Sequence, residues 1–215
     1  MPVSILDDKL WFPSAENATE DGLLAIGGDL SEERLLLAYR KGIFPWFEDK
    51  LPLWWCPDPR FVLFPENLQI SKSMQQVLRS NRFQFKINSS FENVIHYCKT
   101  ANGRNEATWI TDDVEQAYIN LYKKGYAHSA EAWHNNELVG GLYGIKLGKI
   151  FFGESMFSLL SNASKFAFIN YIYQLDKEGI VLIDCQLYSS HLESLGAQMI
   201  SRSFFLDLLK VYINK

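Results

Sequence analysis

Residues 150–187 hold the pattern that most restricts the fold. IFFGESMF is followed by the helical stretch ASKFAFINYIYQLDKEG and then by GIVLIDCQL. A β-branched and aromatic run, a long helix and a wholly apolar run of four residues read as strand, helix and buried strand. Consecutive strands joined by one helix are expected side by side, through a right-handed crossover. Asn162 is placed to cap the helix and Gly179 to end it.

Polar residues interrupt both strands. Asp184 and Gln186 follow Ile180–Ile183 with no turn residue before them. A carboxylate at the end of a buried strand is costly unless it is paired or hydrogen-bonded. Alternate side chains of an extended strand share a face, so Asp184 and Gln186 are expected together, with Cys185 turned away as a small hydrophobe. Asp184 has two readings here: a catalytic group, or a structural carboxylate capping a helix near His191. Glu154 poses the same question after Gly153, which marks either a bulge or a close backbone approach. With the two strands as neighbours, Glu154, Asp184 and Gln186 converge on one cleft.

Strand–helix–strand order of this kind is similar to that of acyltransferases of the acetyl-CoA-using superfamily. Those enzymes hold a pyrophosphate on a glycine-rich loop at the helix N-terminus. The loop here, SLLSNASK, has no glycine, and none occurs between Gly153 and Gly179. An acyl-CoA donor is therefore disfavoured.

Upstream, Ser31 caps a helix with Glu32 and Glu33 in its first turn and Gly42 at its end. Gly27-Gly28 lacks a phosphate-loop pattern and reads as a tight turn. Residues 44–65 carry five of the seven prolines and three of the six tryptophans. That proline density predicts an irregular, aromatic-lined segment, with a domain junction near residue 60. Beyond it the spacing predicts helices over 71–80, 91–99 and 111–125 and a strand at 83–87. A three-strand meander follows over 129–133, 138–147 and 150–157, then the crossover, a short helix at HLESLGA, and a final strand and helix. The expectation is an α+β chain: a small N-terminal domain (1–60) and a catalytic domain (61–215) with a mixed, mainly antiparallel sheet.

Composition narrows the function. With net charge −4 the whole chain does not advertise a nucleic-acid partner. Locally, residues 67–91 contain Lys72, Arg79, Arg82 and Lys86 and no acid. This is either a track for a phosphate backbone or a solvated helix face. Trp46, Trp54, Trp55 and Trp109 either stack a base or belong to the core. Three cysteines without paired spacing and four scattered histidines argue against a disulfide scaffold and a metal site, and fit a reducing compartment. No signal peptide or membrane-length apolar run is evident. A cytoplasmic protein without metal or cofactor is expected.

A set of motifs carries a resemblance over nearly the whole chain. GLLAIGGDLSEERLLLAYRKGIFPWF, LWWCPDPR, TWIT, AHSAEAW, ELVGGLYG, FFGESMFS, NASK and LIDCQ, in this order, closely resemble the bacterial leucyl/phenylalanyl-tRNA–protein transferases. The resemblance implies a catalytic domain of the acetyltransferase (GNAT) type and a monomer. It implies transfer of leucine or phenylalanine from Leu-tRNA or Phe-tRNA to the α-amino group of proteins beginning with Arg or Lys, in the N-end rule pathway. By resemblance Gln186 contacts the attacking amine and Asp184 polarises it or relays its proton. Glu154, beside Gly153, helps hold the basic N-terminal residue or the aminoacyl end. Phe151, Met156, Ile183 and Leu142 form the apolar side-chain pocket, and Phe44, Trp46 and Trp109 surround the terminal adenosine. Lys72, Arg79 and Arg82 dock the tRNA. Two departures stand out: Gln76 and Ser80 replace expected basic residues, and Leu142 replaces a methionine, a nearly volume-conserving swap. An acyl-CoA-dependent N-acyltransferase and a non-catalytic tRNA- or N-terminus-binding protein are the rival readings.

Overall fold

The N-terminal region holds more strand than its sequence advertises. The computed structural model describes residues 3–47, 51–101 and 108–214. Strands β1 (Ser4–Leu6), β2 (Leu23–Gly27), β3 (Phe44–Pro45) and β4 (Leu53–Trp55) form a sheet of order β1-β2-β4-β3. Helix α1 (Glu32–Arg40) lies between β2 and β3, with the Ser31 hydroxyl accepting from the Arg34 N–H as expected. Gly42 after it has φ +75°, and a Cβ there would meet Phe205, Leu206 and Leu209 at 2.9–3.0 Å. Only glycine meets both demands.

The expectation that 44–65 is irregular needs correction. Residues 48–50 lie outside the described ones, but β3, β4 and β5 (Arg60–Leu63) all fall within the segment. β5 fits between Pro59 and Pro65 and runs inside the second sheet, between β11 (Gln198–Ile200) and β10 (Leu182–Gln186). All four of its residues are buried. With both faces covered it shows no polar–apolar alternation, and the flanking prolines masked it.

The remaining elements follow the predicted order. Helix α2 (Lys72–Arg79), strand β6 (Gln84–Ile87), helices α3 (Phe91–Thr100) and α4 (Asp112–Lys123), and strands β7 (Ala127–His134), β8 (Glu137–Leu147) and β9 (Ile150–Ser158) precede helix α5 (Ala163–Lys177). After β10 come the short helix α6 (Ser190–Glu193), β11 and helix α7 (Arg202–Tyr212). The seven-stranded sheet has order β11-β5-β10-β9-β8-β7-β6. Among the described residues its only parallel pair is β9 with β10, as the crossover requires; its other pairs are antiparallel. The fold is thus α+β with a mixed, mainly antiparallel sheet.

Asn162 precedes α5 but does not cap it with its side chain. It takes φ +69° instead, a left-handed turn that asparagine tolerates. Gly140 in β8 lets the start of α5 approach: a Cβ there would lie 2.6 Å from the Cβ of Ala163. The large sheet buries a core on each face. Phe61, Phe151, Ile183 and the α5 side chains form one; Val62, Phe152, Leu182 and residues of α1, α3 and α4 form the other.

One buried carboxylate within β7 is structural. Glu131 is fully buried and accepts from the backbone N–H groups of Ser89 and Ser90, the Ser129 hydroxyl and Trp133 Nε1, at 2.8–2.9 Å. It thereby ties β7 to the entrance of α3. Glu131→Ala strands these donors, so urea unfolding is expected to show a loss of about 3 kcal/mol.

Candidate active site

The parallel strands β9 and β10 separate where the polar residues begin. Their register runs Leu182–Ile150, Ile183–Phe151 and Asp184–Phe152, and stops there. Each strand then carries an irregularity: β9 slips at Glu154 against β8, and β10 slips at Cys185 against β5. Bulges bend strands and re-aim side chains. Here the paired bulges part the sheet and open a cleft between β9 and β10.

The cleft has two lobes sharing the wall formed by Glu154, Cys185 and Gln186. The first is largely apolar, with Leu142, Met156, Phe168, Ile183 and Leu192 among its lining, joined by Gly153, Asp184 and His191. The second is aromatic: Phe44, Pro45, Trp46 and Trp109, with Leu187 at its edge. These residues come from both sheets.

Gln186 breaks the alternation expected of its strand. It has φ +57°, beyond the bulge, and Cys185 is not turned away but lines both lobes. Burial pushes the Cys185 thiol pKa up, which leaves it a poor nucleophile. Asp184 faces the N-terminal side, wholly buried. Its Oδ1 accepts from Arg60 Nε at 2.8 Å and its Oδ2 from Arg60 Nη2 at 2.6 Å. Oδ1 also accepts the Gln186 backbone N–H at 3.1 Å. Asp184 does not cap a helix near His191; its partner is the Arg60 guanidinium, which is itself stacked between Phe44 and Phe205, 4.7 and 4.5 Å from their ring centres.

Glu154 is held by two hydroxyls. Tyr39 donates to its Oε1 at 2.7 Å and Tyr118 to its Oε2 at 2.9 Å. The two tyrosine hydroxyls also touch each other; each has a single proton, so both donate to Glu154 only when neither donates to the other. Gln186 Nε2 stands 3.5 Å from Glu154 Oε1. Part of the Glu154 surface remains open to the cleft, yet protein surrounds the carboxyl densely. Burial, helped by the Asp184 charge, pushes its pKa up to about 7 against the opposing tyrosine bonds and Arg60.

The structure brings Leu142, Gly153, Glu154, Met156, Ile183, Asp184 and Gln186 to the first lobe and Phe44, Trp46 and Trp109 to the second. Phe151 lines neither; it is wholly buried against Tyr171, with ring centres 5.1 Å apart. Lys72, Arg79 and Arg82 are exposed on α2 and the turn after it, and line neither lobe. No sequence pattern marks Tyr39, Tyr118, Arg60, Phe168 or His191 as a site residue. Tyr39 and Tyr118 fall on the apolar faces of amphipathic helices and read as core, while Arg60 sits in a proline-rich stretch with no periodicity. Among the described residues no group of three or more His, Cys, Asp or Glu side chains could hold a metal ion. No helix among them is long and apolar enough to cross a membrane.

The chain is an α+β protein whose mixed sheet parts within its parallel pair, with an apolar lobe against the parting. Among solved structures, a GCN5-related N-acetyltransferase-like protein from Streptococcus suis is 13% identical with a TM-score of 0.40, the match covering 74% of this chain and 60% of that one. The family model for leucyl/phenylalanyl-tRNA protein transferase matches residues 62–210, and the model for that family's N-terminal domain matches 28–58. Leucyl/phenylalanyl-tRNA–protein transferases of Syntrophobacter fumaroxidans and Christiangramia forsetii are 53% and 54% identical. Those alignments cover 97% and 92% of this chain and 90% and 95% of the relatives. The chain belongs to the leucyl/phenylalanyl-tRNA–protein transferase family.

Proposed function

We propose that this protein transfers leucine or phenylalanine from aminoacyl-tRNA to the α-amino group of proteins beginning with Arg or Lys, forming a peptide bond that marks them for N-end rule degradation. One observation carries the reading: Glu154 and Gln186 meet, 3.5 Å apart, on the wall between an apolar and an aromatic lobe. The apolar lobe takes the aminoacyl side chain; methionine at position 156 lets it adapt to branched and aromatic groups. Phe44, Trp46 and Trp109 stack the terminal adenosine. Lys72, Arg79 and Arg82 meet the tRNA backbone outside the cleft. Three cysteines that form no disulfide fit work in the reducing cytoplasm.

The ester carbonyl then lies against the Glu154–Gln186 wall. A C–N bond forms and the ester C–O bond breaks. The α-ammonium loses one proton before attack and the amine a second during it; the ribose hydroxyl recovers one. Both Asp184 oxygens are engaged and buried, so Asp184 acts by fixing the Gln186 backbone. Gln186 orients the amine. Glu154, whose pKa of about 7 lies near that of an α-amine, about 7.7–8.0, receives the first proton. The reaction is driven by ester becoming amide, and holding the amine against the ester carbonyl lowers its barrier by orientation.

Purified protein, leucyl-tRNA and a peptide with N-terminal arginine are expected to yield the Leu-Arg peptide, detected by mass. Acetyl-CoA in place of charged tRNA is expected to yield nothing. Tight tRNA binding without product would favour a non-catalytic binding protein.

A further inference from the structure

A tight turn at Gln186, closed by the Leu187 N–H donating to the Cys185 carbonyl at 2.7 Å, leads the chain into exposed apolar side chains. Leu187 is 44% exposed, Tyr188 54% and Met199 44%. Singly, exposed apolar residues need no explanation; side by side at the edge of a cleft they form a contact surface. Leu187 lines the aromatic lobe. The Tyr188 ring lies 5.5 Å from that of Phe61, and its hydroxyl donates to Glu193 at 2.8 Å, which fixes the ring in place. Phe61 is in register with Gln186 on one side and with Met199 on the other. Paired residues share a face of the sheet, so Tyr188 over Phe61, then Met199, extend from the cleft toward the outer strand. Among the described residues β11 has β5 as its only strand neighbour.

We propose that the strip Leu187–Tyr188–Met199 binds residues two to four of the acceptor polypeptide, in extended form, as they leave the cleft. The inference rests on the transferase reading above. Its length fits: two strand spacings from Gln186 to Met199 are about 10 Å, the span of about three extended residues. Its chemistry fits as well. The strip is continuous with the wall where the amine reacts, and its surface of one ring and two aliphatic chains favours apolar side chains without demanding one sequence.

The test compares three acceptors with leucyl-tRNA as donor: argininamide, Arg-Gly-Gly-Gly-amide and Arg-Leu-Tyr-Leu-amide. The wild-type protein is expected to prefer the apolar peptide about tenfold in kcat/KM over the glycine peptide, the effect of burying one or two side chains. In the Tyr188→Ser/Met199→Ser variant this preference disappears, while argininamide turnover stays within about twofold, because both replaced residues are exposed. An unchanged melting temperature confirms that the variant folds. Equal rates for the two peptides in the wild type overturn the proposal. So does a variant that raises KM for leucyl-tRNA and leaves the peptides unaffected, since the strip would then serve RNA. Absence of transfer to all three acceptors overturns the transferase reading and the strip with it.

Discussion

Arg60→Met is expected to lose transfer altogether and about 3–5 kcal/mol of folding stability, read from urea unfolding midpoints. The guanidinium is 1% exposed and bonds both oxygens of a carboxylate that is 0% exposed. Burial alone would pull the Arg60 pKa down, but Asp184 reverses this and holds it above the ordinary value. Removing the cation leaves a charged carboxylate in the core, whose desolvation the single Gln186 N–H bond offsets only in part. Asp184→Ala strands the arginine and is expected to cost a similar amount. Loss of activity in that single variant therefore reports on folding and chemistry together. The double variant Arg60→Met/Asp184→Leu separates them. Apolar residues of similar volume often replace a buried ion pair without net cost, so most of the stability should return. Activity should not, because the Gln186 backbone N–H has lost its anchor. A stable double variant with wild-type turnover would show that neither charge serves the reaction.

Glu154→Gln is expected to lower kcat/KM for an arginine peptide by about 10²–10³-fold, within the range for removing a general base. The pH profile provides a second readout. In the wild type Glu154 takes the ammonium's own proton, so only one net proton must leave the reacting complex. The logarithm of kcat/KM is expected to rise with slope one and to level near 7, the Glu154 value. The variant must find the amine already neutral, so its acid limb levels at about 7.7–8.0. An unshifted midpoint would remove Glu154 as the proton acceptor.

Stability should change in a linked way. The Glu154 pKa is raised from 4.5 to about 7 on folding, so between these values the folded state holds a proton that the unfolded state has released. Its contribution is complete below pH 4.5 and is lost as pH rises through 7. Urea midpoints at pH 5 and pH 8 should therefore differ more in the wild type than in Glu154→Gln.

The arrangement around Asp184 shows why some of the site was legible and some was not. Its place at the end of an apolar run marked it as a buried charge needing a partner. The partner lies 124 positions away, in a proline-flanked segment whose four strand residues are all buried. No local pattern links the two. Tyr39 and Tyr118 were hidden for another reason. Each occupies an apolar position of an amphipathic helix, and periodicity treats tyrosine as a ring. That both hydroxyls point at one carboxylate depends on how α1 and α4 pack.

The sequence by itself determined the order of elements after residue 66, the parallel crossover from β9 to β10, the absence of a glycine loop for an acyl-CoA phosphate, and the motifs that mark the family. These are local properties, set by side-chain period, capping residues and spacing within a few turns. Only the tertiary structure decided that Arg60 neutralises Asp184, that two bulges part the sheet, and that the first bulge re-aims Glu154 toward two tyrosines while the second swings Gln186 out of alternation and Cys185 into the cleft. A bulge appears only when a strand meets its neighbour's register, and a buried charge finds its partner only when distant segments pack.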